Sequence, residues 1–163
     1  MGVGPMSSTI AHATSASWIA VTVAHVQPHE TSYILAAWIA ASILDLDHLI
    51  PLIRDRKAYQ QQAREGNLHR ARSVFHELFG LLVAGALSGL LLFVDRKLAC
   101  VLFVAYAVHV AEDWMIGRSK PLSPIDNTEI QLFSPSLKQK IIIDIVLVVT
   151  FGVLWILYLT GRV

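Results

Sequence analysis

Apolar positions along this chain gather into long runs rather than into alternating or striped patterns. Three runs are long: Val74 to Val94, Leu98 to Ile116 and Ile141 to Leu159, each 19–21 residues. At 1.5 Å per helical residue, that length matches a hydrocarbon core of roughly 30 Å. Two weaker runs precede them. Ser15 to Val26 and Ser32 to Leu44 reach spanning length only with the polar residues at their ends, as Ser8 to His25 and His29 to Ile50. The pattern predicts an all-α, polytopic membrane protein, a single integral-membrane domain over residues 1–163. Its five transmembrane helices are expected at about 8–26, 30–48, 73–94, 98–116 and 139–160. The first two form a hairpin closed by Gln27-Pro28-His29-Glu30. A soluble bundle fails on geometry, because three helices apolar on every side cannot all be central in so short a chain.

Smaller features refine this picture. In the third helix Gly80, Gly85 and Gly89, with Ala84, Ala86 and Ser88, make a small-residue face suited to close packing in lipid. The polar stretch Arg54 to Gly66 is expected as an interfacial helix or ordered loop. No Lys or Arg precedes Arg54, so a cleaved signal peptide with a basic leading region is not expected.

Composition agrees with a membrane solvent: 55% of residues are hydrophobic and 15% charged, against roughly 25% charged in an average globular protein. A net charge of +1 leaves no strongly basic surface, so no nucleic-acid partner is expected. The single cysteine, Cys100, excludes an internal disulfide and a cysteine-rich zinc module, and reads as a packing residue.

Charge also gives sidedness. Five spans put the N-terminus and the loops Asp45 to Ser73 and Gly117 to Gln139 on one side, which holds ten of the thirteen Lys and Arg residues. By the positive-inside rule that side is cytoplasmic, giving an N-in/C-out chain. Five of the seven histidines and ten of the twelve acids fall on the same side. The histidine surplus is therefore one-sided.

Three groups of those residues have the composition of ligands. Asp45-Leu46-Asp47-His48 sets two carboxylates and an imidazole between apolar runs. Buried acid near a bilayer costs roughly 2.5–3.5 kcal/mol per residue, and a divalent cation offsets that cost. The alternative is a helix end whose acids face water. His109 and Asp113, at i and i+4, share a helix face, as two ligands of one metal or of a close pair require, while Glu112 points elsewhere as an accessory base or headgroup contact. A plain His–Asp bond between helices is the rival reading there. In His69-Arg70-Ala71-Arg72-Ser73-Val74-Phe75-His76-Glu77, His76 opens an apolar helix and should turn inward, and Arg70 or Arg72 offers donors to phosphate or carboxylate. His12 opens the first helix on the same side. Asp126, after Pro124, has the setting of a turn residue, and Asp144, one turn after Lys140, that of a surface ion pair. His25 and His29 lie across the membrane. No Gly-x-Ser-x-Gly elbow, P-loop or dinucleotide fingerprint is present.

The early His12, the Asp45-Leu46-Asp47-His48 motif, the His69-Arg70 to His76 segment, the His109-x-x-x-Asp113 helix end and the Pro-, Phe- and Ser-containing loop from Pro121 to Pro135 together resemble the membrane-bound metal-dependent hydrolases, small polytopic proteins of bacterial and archaeal inner membranes. The resemblance covers His12 to about Pro135. This chain differs in having Leu44 where the family has Pro, and Phe75 and Glu77 around His76 where it has Thr and Ser, which leaves Arg70 and Arg72 as alternative counterparts of its arginine. The resemblance implies hydrolysis that depends on metal and names no substrate.

The expected function is thus an integral-membrane hydrolase with one or two divalent ions, Zn, Mn or Fe by donor type, using a metal-activated water at the cytoplasmic face. Its expected ligands are His12, Asp45, Asp47, His48, His76, His109 and Asp113, with His69 and Asp126 as further candidates. Glu77 or Glu112 would assist proton transfer, and Arg70 or Arg72 would stabilise an anionic transition state. Position at headgroup level points to membrane lipid as partner and to a lipid or phosphoester as substrate. The rival is a small metal or proton transporter or a metal-sensing subunit, whose ligands would line a passage reaching Asp95 or His29.

Overall fold

The first helix, among the weakest of the expected spans by hydropathy, is the hub of the bundle. The computed structural model describes residues 6–48, 53, 57, 73–133 and 135–162. Among them are five α-helices: α1 (Met6–Val23), α2 (Thr31–Ile43), α3 (Leu78–Leu91), α4 (Arg96–Ile116) and α5 (Leu137–Leu159). Helix α1 packs against α2, α4 and α5, and α4 also carries α2 and α3.

Small residues explain how α1 can be so enclosed. Ala11, Ala13, Ala16 and Ala20 are buried, which lets three neighbouring backbones approach. The buried hydroxyls between them do not need outside partners. Ser15 Oγ donates to the Ala11 carbonyl at 2.8 Å, Thr14 Oγ1 to the same carbonyl at 2.9 Å, and Ser17 Oγ to that of Ala13. Two aromatics of α5 are pinned to this hub. Trp155 Nε1 donates to the Thr14 carbonyl at 3.1 Å, and the Tyr158 hydroxyl to that of Val26 at 2.6 Å.

Sequence-local caps set the long helices. The Asp95 side chain accepts from the Leu98 amide at 2.9 Å and starts α4. Ser136 and Gln139 form a capping box at the head of α5. Helices α4 and α5 are long and apolar enough to cross a membrane. On α5 the exposed residues include Ile142, Ile145, Val149, Val153 and Ile156, a face suited to lipid rather than water.

Helices α2 and α3 are shorter than the expected 30–48 and 73–94. A 3-10 turn at Leu44–His48 replaces the end of α2, and another at Val74–His76 precedes α3. Glu77, with φ −117° and ψ −178°, is extended and interrupts what the sequence presents as one apolar run. The all-α expectation also needs a small amendment. Between α4 and α5, β1 (Arg118–Ser119) pairs antiparallel with β2 (Ile130–Gln131).

The glycine face of α3 is one close contact rather than a continuous seam. A Cβ at Gly80 would collide with the Phe75 carbonyl and the Tyr106 hydroxyl, whereas one at Gly85 would meet Phe103 at an ordinary 3.5 Å and one at Gly89 nothing within 4 Å.

Candidate functional site

Both helix interruptions occur where ligand-type residues stand. The turn after α2 carries Asp45, and the turn before α3 carries His76. Helix α4 brings His109 and Asp113 to the same place on one face, and α1 adds His12. His76 and His109 are fully buried, with Asp113 and His12 at 3% and 4% exposure.

The contacts are too long for direct bonds and well spaced for a shared ion. His12 Nε2 lies 3.4 Å from Asp113 Oδ1, His109 Nε2 3.5 Å from Asp113 Oδ2 and 3.7 Å from Asp45 Oδ1, and His76 Nε2 3.8 Å from Asp113 Oδ2. Ordinary N–H···O bonds run about 2.7–3.2 Å. Two ligands on one tetrahedral ion with bonds of about 2.1 Å stand about 3.4 Å apart. One donor atom each from Asp45, His76 and His109 lies within 4.8 Å of the others. The rings are mutually close, with centroids 5.0 Å apart for His12 and His109 and 5.6 Å for His76 and His109.

Partners on the far side of two rings fix their tautomers. His109 Nδ1 stands 2.7 Å from the Ala41 carbonyl. A carbonyl only accepts, so Nδ1 carries the proton and the Nε2 lone pair faces Asp45 and Asp113. That Nε2 has no hydrogen-bond partner among the described residues. His12 Nδ1 donates to Glu112 Oε2 at 2.7 Å, leaving its Nε2 for Asp113. An imidazole whose second nitrogen is held by a carbonyl or carboxylate is the usual setting of a metal-ligating histidine.

The position of His76 is built by several neighbours. Ser73 caps the 3-10 turn through the Phe75 amide, the Tyr106 hydroxyl donates to the Phe75 carbonyl, and Trp114 Nε1 donates to the His76 carbonyl at 3.2 Å. Glu77 is buried and its Oε1 accepts from the Lys120 amide at 2.8 Å, so it clasps the loop after α4. Gly80 lets α3 come this close.

Asp45, Glu112 and Asp113 bring carboxylate oxygens up to the imidazoles of His12 and His109. Nitrogen and carboxylate oxygen donors together suit Zn, Mn or Fe. The residues fit a divalent ion.

Of the expected site residues, the structure thus brings together His12, Asp45, His76, His109 and Asp113. Glu112, expected to point away, instead holds His12. Asp126 is exposed in the loop before β2, where it accepts from the Thr128 amide at 2.9 Å and hydroxyl at 2.8 Å; the hydroxyl, more than the amide, holds its carboxyl below the usual range. Asp144, expected at the surface beside Lys140, is buried at 4% exposure, because its side of α5 turns inward. The side chains of Asp47 and His48, and all of His69, Arg70 and Arg72, lie outside the described residues. Sequence reasoning missed the Ala41 carbonyl, since a backbone acceptor has no residue signature. It also missed Tyr106 and Trp114, which read as ordinary interior aromatics of α4.

A family model described as YdjM inner membrane protein matches residues 6–162. No curated protein and no solved structure matches the chain.

Proposed function

We propose that this chain, which belongs to the YdjM inner membrane protein family, is a metal-dependent hydrolase of the cytoplasmic membrane. In this reading all five helices span the bilayer, N-in and C-out, with the cluster at the cytoplasmic face. Inner-membrane family membership and the two long apolar helices support the membrane setting. The observation that carries the chemistry is the convergence of His12, His76 and His109 with Asp45 and Asp113 at 3.4–3.8 Å.

These five side chains would hold the ion, with Asp47 and His48 as further donors. A divalent cation so held supplies Lewis acidity and an activated water. The chain's own groups do the rest. Glu112 holds the proton on His12 Nδ1 and keeps that ring's Nε2 directed inward; it is also the acid best placed to take up a proton. The Ala41 carbonyl does the same for His109. Burial of His76 and His109 excludes bulk water. Arg70 or Arg72 would stabilise the developing anion on a phosphoester or related substrate.

Transport is the other reading, and packing disfavours it. Between His109 and the far end of α4 at Asp95, the interior is filled by Val101 and Ala105 against Ala16, Ala20 and Ala37. Asp95 itself is occupied by the Tyr33 hydroxyl and the Leu98 amide. The test is metal analysis of the purified wild type and of His109→Gln, followed by hydrolysis assays on phosphoester and phospholipid panels. A wild type that binds no divalent metal overturns the proposal.

A further inference from the structure

A groove of about 830 Å³ opens between α1, α4 and α5, beside the histidine and carboxylate cluster. Its wall is apolar, with Ile19 on α1, Val108 and Met115 on α4, and Ile143, Leu147 and Phe151 on α5. Only Glu112 and Gln139 contribute polar side chains among the described residues, and both lie at the end nearest the cluster. Glu112 is the same carboxylate that accepts from His12 Nδ1 at 2.7 Å, so groove and cluster share a wall. At the other end the groove is lined by Phe151, whose ring lies 5.7 Å from that of Trp18.

Depth and polarity point to the occupant. Twelve helical steps separate Gln139 from Phe151, which is about 18 Å at 1.5 Å per residue. One leaflet of a hydrocarbon core of roughly 30 Å is about 15 Å deep. The groove therefore has the depth of one lipid leaflet, an apolar wall along that depth and polar side chains, Glu112 and Gln139, at the end beside the cluster.

We propose that this groove seats one acyl chain of a membrane lipid from the leaflet on the cluster's side. The substrate is then an amphiphile whose chain lies against Ile143, Leu147 and Phe151 and whose polar head reaches Glu112 and the cluster. The claim about substrate rests on the hydrolase reading above; the claim that a chain is seated there does not.

Full-length protein in nanodiscs of phosphatidylethanolamine and phosphatidylglycerol, doped with a phosphatidylglycerol bearing a diazirine at one acyl-chain end, is irradiated and its adducts are mapped by peptide mass spectrometry. Adducts on Leu147 and Phe151, at the deep end of the groove, are expected in excess of those on Val146 and Val149, which lie at similar depth on the exposed face of the same helix. Leu147→Trp, which fills the groove, should abolish the groove adducts and leave the outward ones. Equal labelling of the two faces in the wild type overturns the proposal without recourse to any variant. So does crosslinking of groove residues to a second copy of the chain. Metal content measured on the same preparation keeps the two readings apart. Groove labelling in a protein that binds no metal keeps the chain seat and removes the hydrolase, and bound metal with no groove labelling does the reverse.

Discussion

His12 is gripped at both nitrogens by consecutive residues of α4, with Glu112 Oε2 2.7 Å from Nδ1 and Asp113 Oδ1 3.4 Å from Nε2. Neighbours on a helix point about 100° apart, so the two carboxylates can reach one ring only from different sides. The short contact is a hydrogen bond and the long one has the spacing of co-ligands. That asymmetry assigns the two acids different tasks.

Asp113→Asn tests the ligand task. The amide keeps the volume and removes the charge facing His12, His76 and His109 through both oxygens. Metal content by inductively coupled plasma mass spectrometry is expected to fall to background, with the helical circular dichroism in detergent unchanged. Full metal occupancy in a folded Asp113→Asn protein would remove Asp113 from the site.

Glu112→Gln tests the orienting task. Loss of such an outer partner typically weakens metal affinity by about 10–100-fold without abolishing binding. Competition against a chromophoric chelator should read a drop in that range, smaller than the Asp113→Asn effect. Unchanged affinity would mean that the bond to His12 orients nothing.

Gly80→Ala should destabilise the bundle and misplace His76. The added methyl meets the Phe75 carbonyl and the Tyr106 hydroxyl, which are backbone and a bonded side chain with little freedom to move. Overpacking of this kind costs roughly 1–3 kcal/mol. Thermal unfolding in detergent and metal affinity are the readouts; a melting temperature equal to wild type would show that α3 can shift freely. Gly89→Ala, with nothing within 4 Å, is the control and should be neutral.

The parts of this arrangement that were legible from sequence are those governed by local spacing. His109 and Asp113 share a face because i and i+4 always do on a helix. The interruptions at Leu44 and Glu77 were not legible, because an acid or histidine near the end of an apolar run does not say whether the helix continues through it, and hydropathy does not register backbone direction. Helix α1 scores weakly for the same reason that it is central. Its Ala, Ser and Thr residues are chosen for small volume, and hydropathy chiefly reports the lipid-facing residues that α5 displays. Asp144 was misjudged because an i, i+4 lysine does not say which way the pair faces.

Acid lability should concentrate at the opposite end of the bundle. Lys97 Nζ lies 2.8 Å from both oxygens of Glu30 and holds that carboxyl below its usual 4.5, while the Leu98 amide and then the Tyr33 hydroxyl hold Asp95 below its usual 3.8. Both groups bind protons more weakly folded than unfolded. Their contribution is thus complete above about pH 4.5 and is lost as pH falls through the folded values. Melting temperature should drop between pH 5 and pH 3 in the wild type, and less steeply in Glu30→Gln. Parallel profiles for the two proteins would show that this clasp adds nothing.

Metal removal should loosen the cluster end. Without a cation, the Nε2 of His109 stands 3.5–3.7 Å from carboxylate oxygens of Asp45 and Asp113, too far for an ordinary hydrogen bond. An ion that binds only the folded state adds about 2.7 kcal/mol when its free concentration is a hundred times its Kd. A chelator should therefore lower the wild-type melting temperature, and excess divalent ion should restore it. His109→Gln, lacking a central donor, should melt at one temperature with or without chelator. A wild type indifferent to both treatments would leave the cluster as a packed polar core rather than a metal site.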